Sequence, residues 1–332
     1  MNRSRGRRRL FRIAAVGLSL AISLAVVEIG TRARYRREYA RHVAKWSHPL
    51  LALEPDSPLE FVIRPKVQHA TWKARAGKAP WSYTINSRGC RGPDPGPKSK
   101  GTMRIIALGD SYTFGWGLND DQTFPHYLGQ LTSDGGREIE VINCGVPGYN
   151  TAQEAHYLNT QWDLEPDLVI LTYVPNDDEP HFNVVPTPPE KRFGGDLWIW
   201  AKASAEMRRA VSSTKQRSTY LDSFDESSKR WRASKAALAD IGRACKKHNV
   251  ALLVAIVPDF SSPFTSKYPY AAIHRSVTDW CAELDIEVID LFGVFSGKDH
   301  KQYHLKNDGH PNPEANKLIA RTLRNAIVFD GG

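Results

Sequence analysis

The sequence predicts an α/β fold of three layers, α/β/α, with a central parallel sheet. Three observations predict it. Five short apolar runs, Ile105–Leu108, Glu140–Cys144, Leu168–Tyr173, Ala251–Val257 and Glu287–Asp290, have the length and composition of buried strands. Helical spacing falls between them. Trp231–Cys245 places apolar or small residues at 231, 234, 238, 241 and 245, and Pro313–Ile327 places Ala315, Leu318, Ile319, Leu323 and Ile327 on one face. Strands alternating with amphipathic helices form a parallel sheet covered on both faces. A chain of 332 residues is long enough to bury such a core.

In chain order, the first element is an uncharged run, Ile13–Val27, flanked by Arg12 and Arg32. A helix of about 17 residues spans roughly 25 Å, slightly short of a hydrocarbon core of about 30 Å. Snorkelling arginines make up the difference. The pattern predicts one transmembrane signal-anchor helix within residues 1–45. A cleaved signal peptide and a buried soluble helix are the alternatives. Six arginines up to Arg12 argue for a cytoplasmic N-terminus, and Arg32–Arg37 oppose them. Long domains translocate despite such charges, so the body is expected outside the cytoplasm, on the periplasmic or extracellular side.

The net charge of +9 suggests nucleic acid until it is located. Residues 1–45 hold twelve Arg and Lys against Glu28 and Glu38, which leaves the rest of the chain near neutral. A nucleic-acid partner needs basic charge on the folded domain itself, so that class is excluded. The membrane partner is the N-terminal helix.

Residues 46–100 read as a stalk with a small β element. Pro49, Pro55, Pro58, Pro65 and Pro80 break any long helix. Trp81–Ile85 alternates like a strand, Asn86–Gly89 reads as a turn, and Gly92–Gly101 as an exposed connector. Residues 101–332 form the main domain, with an irregular insertion at about 183–230 that borders or covers a site.

Four loops carry the chemistry. The run Arg104–Gly117, RIIALGDSYTFGWG, puts Ser111 at the carboxyl end of a strand, where open α/β sheets place ligands. The alternative is an ordinary helix cap. Cys144–Thr151 is a Gly-rich loop after the next strand, and Tyr173–Asp178 a polar loop after the third. Asn307–Asn312 precedes the final predicted helix. A serine nucleophile needs a base, and the base needs an orienting group. His310 and Asp308 supply both from one short loop. The backbone N–H groups of Ser111 and Gly145 and the amide of Asn176 are suitable oxyanion donors.

With these residues in place, the chain resembles the SGNH (GDSL-type) hydrolase family, in its membrane-anchored branch. The resemblance runs from Met103 onward. Gly109-Asp110-Ser111 resembles the first block, Gly145 the second-block glycine, Asn176-Asp177 the third, and Asp308 with His310-Pro311-Asn312 the fifth. There are two departures. Val174 stands where the third block carries glycine, and the fifth block reads Asp-Gly-His rather than Asp-x-x-His, with Asn307 at the longer spacing. The resemblance implies an SGNH-like α/β/α fold and a serine esterase. Ser111 is then the nucleophile, His310 the base, Asp308 the orienting acid, and Ser111, Gly145 and Asn176 the oxyanion hole. It implies no cofactor and no metal. The substrate is an ester-bearing small molecule, lipid or glycan. An O-acyltransferase or O-acetyltransferase acting on a glycan hydroxyl with the same triad is the runner-up. A non-catalytic binding protein that keeps the fold is the third reading.

Other polar residues have ordinary readings. Asp110 and Asp177 are expected to brace their loops. Asp299, His300 and His304 are expected to form a polar loop rather than a metal site. Cys144 is expected to be a buried strand-end thiol. Cys90, Cys144, Cys245 and Cys281 allow disulfides in an exported domain, but spacing does not give the pairing.

Overall fold

The computed structural model describes residues 3–45, 48–54, 57–72, 80–131, 138–177, 197–198, 224, 227–306 and 308–327. They divide into two units. The expected insertion at 183–230 lies almost wholly outside the described residues.

The first unit holds helix α1 (Arg3–Lys45) with residues 197–198. The helix extends well beyond the predicted apolar run at both ends. The flanking Arg, Ala and Glu residues are good helix formers, and no proline interrupts them. Phe11, Ile13, Val16, Leu18, Leu20, Ile22, Leu24, Val26 and Ile29 stand exposed along it. It is long and apolar enough to cross a membrane. Glu28, at the end of the apolar stretch, is buried. It pairs with Arg32 at 2.7 Å and accepts the Trp198 backbone N–H at 3.0 Å. Arg32 and Arg36 lie 5.0 and 5.8 Å from the Trp198 ring centre, within cation–π range.

The second unit contains the predicted parallel sheet. Strands β5 (Met103–Gly109), β6 (Ile139–Gly145), β7 (Leu168–Tyr173), β8 (Ala251–Ile256) and β9 (Glu287–Asp290) coincide with the five apolar runs. Their order is β6-β5-β7-β8-β9, all parallel. Ile105 and Ala107 of β5, Leu168 and Ile170 of β7, and Leu253 and Ala255 of β8 pack on one face. They meet α3 (Phe124–Gly129) and α8 (Pro313–Ala326) there. The alternate residues, Ile106, Leu108, Val169, Leu171, Val254 and Ile256, are equally buried and project to the other face. Helices α4 (Thr151–Leu158) and α5 (Lys229–Lys247) pack against each other on that side, and Tyr173 of β7 bonds Ser234 of α5 at 2.9 Å. Helix α6 (Ala271–Glu283) covers β9. Both faces of the sheet centre are covered, which is why β5 and β7 are buried at every residue and read as unbroken apolar runs.

The lead-in is stitched to the edge next to β6. Two hairpins, β1 (Leu51–Glu54) with β2 (Glu60–Ile63) and β3 (Val67–Trp72) with β4 (Trp81–Ile85), occupy it. Arg91 bridges Ile85 of β4 to Asn143 of β6. A disulfide joins Cys90 to Cys144. The Cys144 thiol expected from the sequence is therefore oxidised, because the edge strand brings Cys90 alongside it. Cys245 and Cys281 are free and buried, and burial pushes each thiol up to about 12.

Arg91 ties this region together. Its guanidinium is 4% exposed. Nε donates to Asp120 at 2.8 Å. The terminal nitrogens donate to Phe114 O and Gly115 O, both at 2.8 Å, to Leu118 O at 2.6 Å and to Ser82 O at 3.2 Å. A guanidinium has five N–H donors, and all five are used. Removing it leaves several carbonyls unpaired in a dry site. Arg91→Ala should therefore lower unfolding stability by about 3–5 kcal/mol, read from the urea midpoint at constant slope. Arg88→Ala, which breaks the more exposed pair with Asp163, should cost no more than about 1 kcal/mol.

Candidate active site

The strand order reverses at β5: the chain continues to β6 on one side and to β7 on the other. A crevice opens at the carboxyl ends of strands at such a point. Gly109 closes β5. A Cβ there would lie 2.2 Å from the hydroxyls of both Thr113 and Thr172, which bond each other. No larger residue fits. Asp110 then caps α2 (Ser111–Phe114), accepting the Tyr112 N–H at 2.8 Å. Ser111 is thus the first residue of the helix rather than its cap, and its hydroxyl stands half-buried at the sheet edge.

The loop before α8 delivers the partner from 199 residues away. His310 Nε2 lies 2.8 Å from Ser111 Oγ. His310 Nδ1 contacts Asp308 Oδ1, which also accepts the His310 backbone N–H at 3.2 Å. A carboxylate on Nδ1 keeps the proton there and leaves Nε2 as the acceptor facing the serine. The shortened Asp-Gly-His spacing therefore still places the carboxylate on the ring. Asn307, at the longer spacing, lies outside the described residues. Asp110 Oδ2, 3.3 Å from Ser111 Oγ, is a second and more distant acceptor for the single hydroxyl proton.

The other expected loop residues are in bracing positions. His304 Nδ1 donates to Leu305 O at 2.8 Å and Asp308 O at 3.1 Å. Asp299 accepts the Lys301 N–H at 3.1 Å. Asp177 Oδ2 accepts the Val174 N–H at 2.9 Å. Val174, where the family carries glycine, is buried in the core with no positive φ, so the loop has no need of glycine at that point.

The expected donors have different fates. Asn176 sits half-buried on the loop after β7, beside Asp177, and its amide has no hydrogen-bond partner among the described residues. The Gly145 N–H is already engaged, donating to Asn143 Oδ1 at 3.1 Å. What Gly145 provides is room: a Cβ there would lie 2.2 Å from Phe114 N, so β6 presses directly on the backbone of α2. Continuing along the loop, Val146 N–H donates to Gly109 O at 2.9 Å, Pro147 has no N–H, and Tyr149 N–H donates to Val146 O at 3.1 Å. Gly148, half-exposed at φ +89°, is left with an N–H that has no partner among the described residues. The sequence contains a signal for it, the Pro147-Gly148 turn pair, but the motif glycine three residues earlier draws the assignment.

Two buried carboxyls lie under the serine. Burial raises Asp110 above its ordinary range, against the Tyr112 N–H bond and the nearby His310, which lower it. Glu154 on α4 is fully buried, and neither of its carboxyl oxygens has a hydrogen-bond partner among the described residues. Burial holds it well above the usual carboxylate range, and the negative charge of Asp110 adds to this. Both effects favour the protonated form of Glu154. Sequence reasoning passed it over because a Glu in a first helical turn looks like a solvated charge.

Residues 107–318 match the family model described as GDSL-like Lipase/Acylhydrolase family. Among solved structures, the chain resembles TesA at 15% identity, covering 67% of this chain and 97% of that one with a TM-score of 0.43. It resembles the psychrotrophic esterase EstA from Pseudoalteromonas sp. at 15% identity, covering 67% and 94% with a TM-score of 0.41. It resembles AlinE4, an SGNH-hydrolase family esterase, at 15% identity, covering 69% and 96% with a TM-score of 0.40. No curated protein matches the chain.

The state of Glu154 has a measurable consequence. The unfolded chain ionises Glu154 near its ordinary value, while burial in the folded protein shifts its ionisation upward. Above that ordinary value the folded state binds more protons, so this group costs stability as pH rises toward the folded-state value. Glu154→Gln keeps the shape without the charge. Its melting temperature should equal that of wild type near about pH 4 and exceed it by about 2–4 °C or more near about pH 8. Thermal melts across that range check it.

Proposed function

Since the chain is an ester-hydrolysing enzyme of the GDSL-like lipase/acylhydrolase family, we propose that it cleaves an acyl ester through a covalent intermediate on Ser111. The observation that carries this reading is the 2.8 Å contact of Ser111 Oγ with His310 Nε2, with Asp308 on the far side of the ring. His310 takes the Ser111 proton as Oγ bonds to the ester carbonyl carbon. The carbonyl π electrons move onto oxygen. As the tetrahedral intermediate collapses, the C–O bond to the alcohol breaks and His310 returns the proton to the leaving oxygen. Water then attacks the acyl-enzyme, with His310 again as base, and the acid product leaves. Asp308 stays ionised and stabilises the imidazolium.

The oxyanion needs donors fixed before the reaction begins. The Ser111 N–H at the start of α2 and the Asn176 amide, which has no hydrogen-bond partner among the described residues, supply two of them. For the third donor, the hydrogen-bond accounting in the β6 loop supports Gly148 in place of Gly145. No step calls for a cofactor.

Ser111 should be labelled by a fluorophosphonate probe, and His310→Ala should abolish most of that labelling. On p-nitrophenyl acetate, Ser111→Ala or His310→Ala should lower kcat on the order of 10⁴-fold. Asn176→Ala should lower it about 10²–10³-fold with KM little changed. Labelling of a different serine would defeat the assignment. Mass analysis with a saccharide acceptor present decides between hydrolysis and acyl transfer, because transfer yields an acylated acceptor.

We also propose that α1 anchors the chain in a membrane and that the catalytic unit faces an oxidising compartment outside the cytoplasm. The exposed apolar length of α1 supports the anchor. The Cys90–Cys144 disulfide supports the side, since cytosolic thiols are kept reduced. Protease treatment of sealed vesicles of known orientation should digest the catalytic unit only when the non-cytoplasmic face is outward.

A further inference from the structure

We infer that Tyr112 is a positioning residue for the reaction: its hydroxyl pins the Asp308–His310 loop to the helix of the nucleophile, and its ring seats the imidazole. This rests on the ester-hydrolase reading of Ser111.

Few hydrogen bonds join the two halves of the site. Helix α2 and the loop at 303–312 come from opposite ends of the domain. The loop is well tied to itself. Leu305 N–H donates to His310 O at 2.9 Å, Asp308 N–H to Leu305 O at 3.0 Å, and Asn312 N–H to Tyr303 O at 2.9 Å. None of these bonds fixes its distance from the serine. Among the described residues, two hydrogen bonds cross from α2 to this loop. One is Ser111 to His310, which breaks and re-forms in every turnover. The other is Tyr112 Oη to Gly309 O at 3.2 Å, across 197 residues. Tyr112 therefore supplies the crossing bond that persists while the proton moves.

The acceptor is well placed for this task. Gly309 lies between Asp308 and His310, so the bond holds the middle of the acid–base pair. A carbonyl only accepts, so the tyrosine must donate. Burial, helped by nearby Asp259, raises the phenol well above its ordinary value and keeps the donor proton in place. The Tyr112 ring centre lies 5.3 Å from that of His310 and 6.2 Å from that of Phe260. The backbone of Tyr112 is fixed by Asp110 at 2.8 Å, in the turn that also sets Ser111. One residue thus references the base to the nucleophile through a short, rigid path. Displacing a reacting group by even about 1 Å can cost roughly 10²-fold in rate.

The experiment compares wild type, Tyr112→Phe and Ser111→Ala on p-nitrophenyl acetate and with a fluorophosphonate probe. Tyr112→Phe keeps the ring and removes the pin. Its kcat and its labelling rate at Ser111 should both fall about 10-fold, with KM within about 2-fold of wild type. A purely structural role would lower the melting temperature without this split. Wild-type kcat and labelling in Tyr112→Phe, with Ser111→Ala inactive, overturn the inference and leave the ester-hydrolase reading standing. Full activity in Ser111→Ala overturns that reading and this inference with it. If Tyr112→Phe does not melt cooperatively, the wild-type protein decides by NMR. A slowly exchanging Tyr112 hydroxyl proton supports the pin, and exchange at the solvent rate overturns it.

Discussion

The guanidinium of Arg91 is the constraint on which the site depends. Its five donors are spent on four backbone carbonyls and one carboxylate, drawn from β4, the stretch 114–118 and Asp120. Three of those carbonyls follow directly from the nucleophile helix, whose last turn would otherwise expose unpaired acceptors. A single planar cation closes that end of the helix and attaches it to the sheet edge. Burial lowers the pKa of Arg91, and Asp120 offsets part of the cost. A lysine presents one point charge with three donors and could not satisfy the same set.

Above this support, the reacting groups are placed by close backbone approach more than by side-chain packing. Gly109 and Gly145 are in register across β5 and β6, and each admits something a Cβ would exclude. At Gly109 it is a pair of threonine hydroxyls; at Gly145 it is the backbone of α2. The nucleophile helix therefore sits lower on the sheet than side chains would allow. Asn316 works on the opposite flank. It accepts the Phe124 N–H at 2.8 Å, 192 residues away, and donates to Pro311 O and Asn312 O. The start of α8 and the start of α3 are thereby held together, and the His310 loop lies between them and the serine.

The parts legible in the sequence are those whose physics is local. The central strands β5 and β7 are buried on both faces, so composition alone reveals them. Helices α5 and α8 show a clean apolar face. Ser111, Asp308 and His310 could be named from short motifs, and the structure brings those three side chains together. What stayed hidden depends on long-range pairing or on backbone groups. The Cys90–Cys144 pairing joins residues 54 positions apart in the chain. Arg91 and Tyr112 act on carbonyls, which carry no residue identity, so no motif announces them. Gly145 matches the second-block glycine that the resemblance makes a donor. Its N–H is spent on Asn143, while the Gly148 N–H has no partner among the described residues. The length of α1 was underestimated because hydropathy stops at the end of the apolar run, while helix propensity continues through the arginines.

The wide separation of Ser111 from His310 has a consequence for when the chain becomes reactive. The elements β5, α2 and β6 precede residue 160, while β7, which pairs with β5, and the His310 loop follow, so a growing chain holds the serine long before its proposed base exists. The loop carrying His310 has no place to sit until α8 docks on α3. That docking is a non-local contact of high loop-closure cost, and such contacts form late. A chain still being synthesised, threaded or refolded therefore holds a silent hydroxyl, no more nucleophilic than any other serine. On the proposed mechanism, Ser111 reactivity follows the docking of α8 and so follows the closing of the domain.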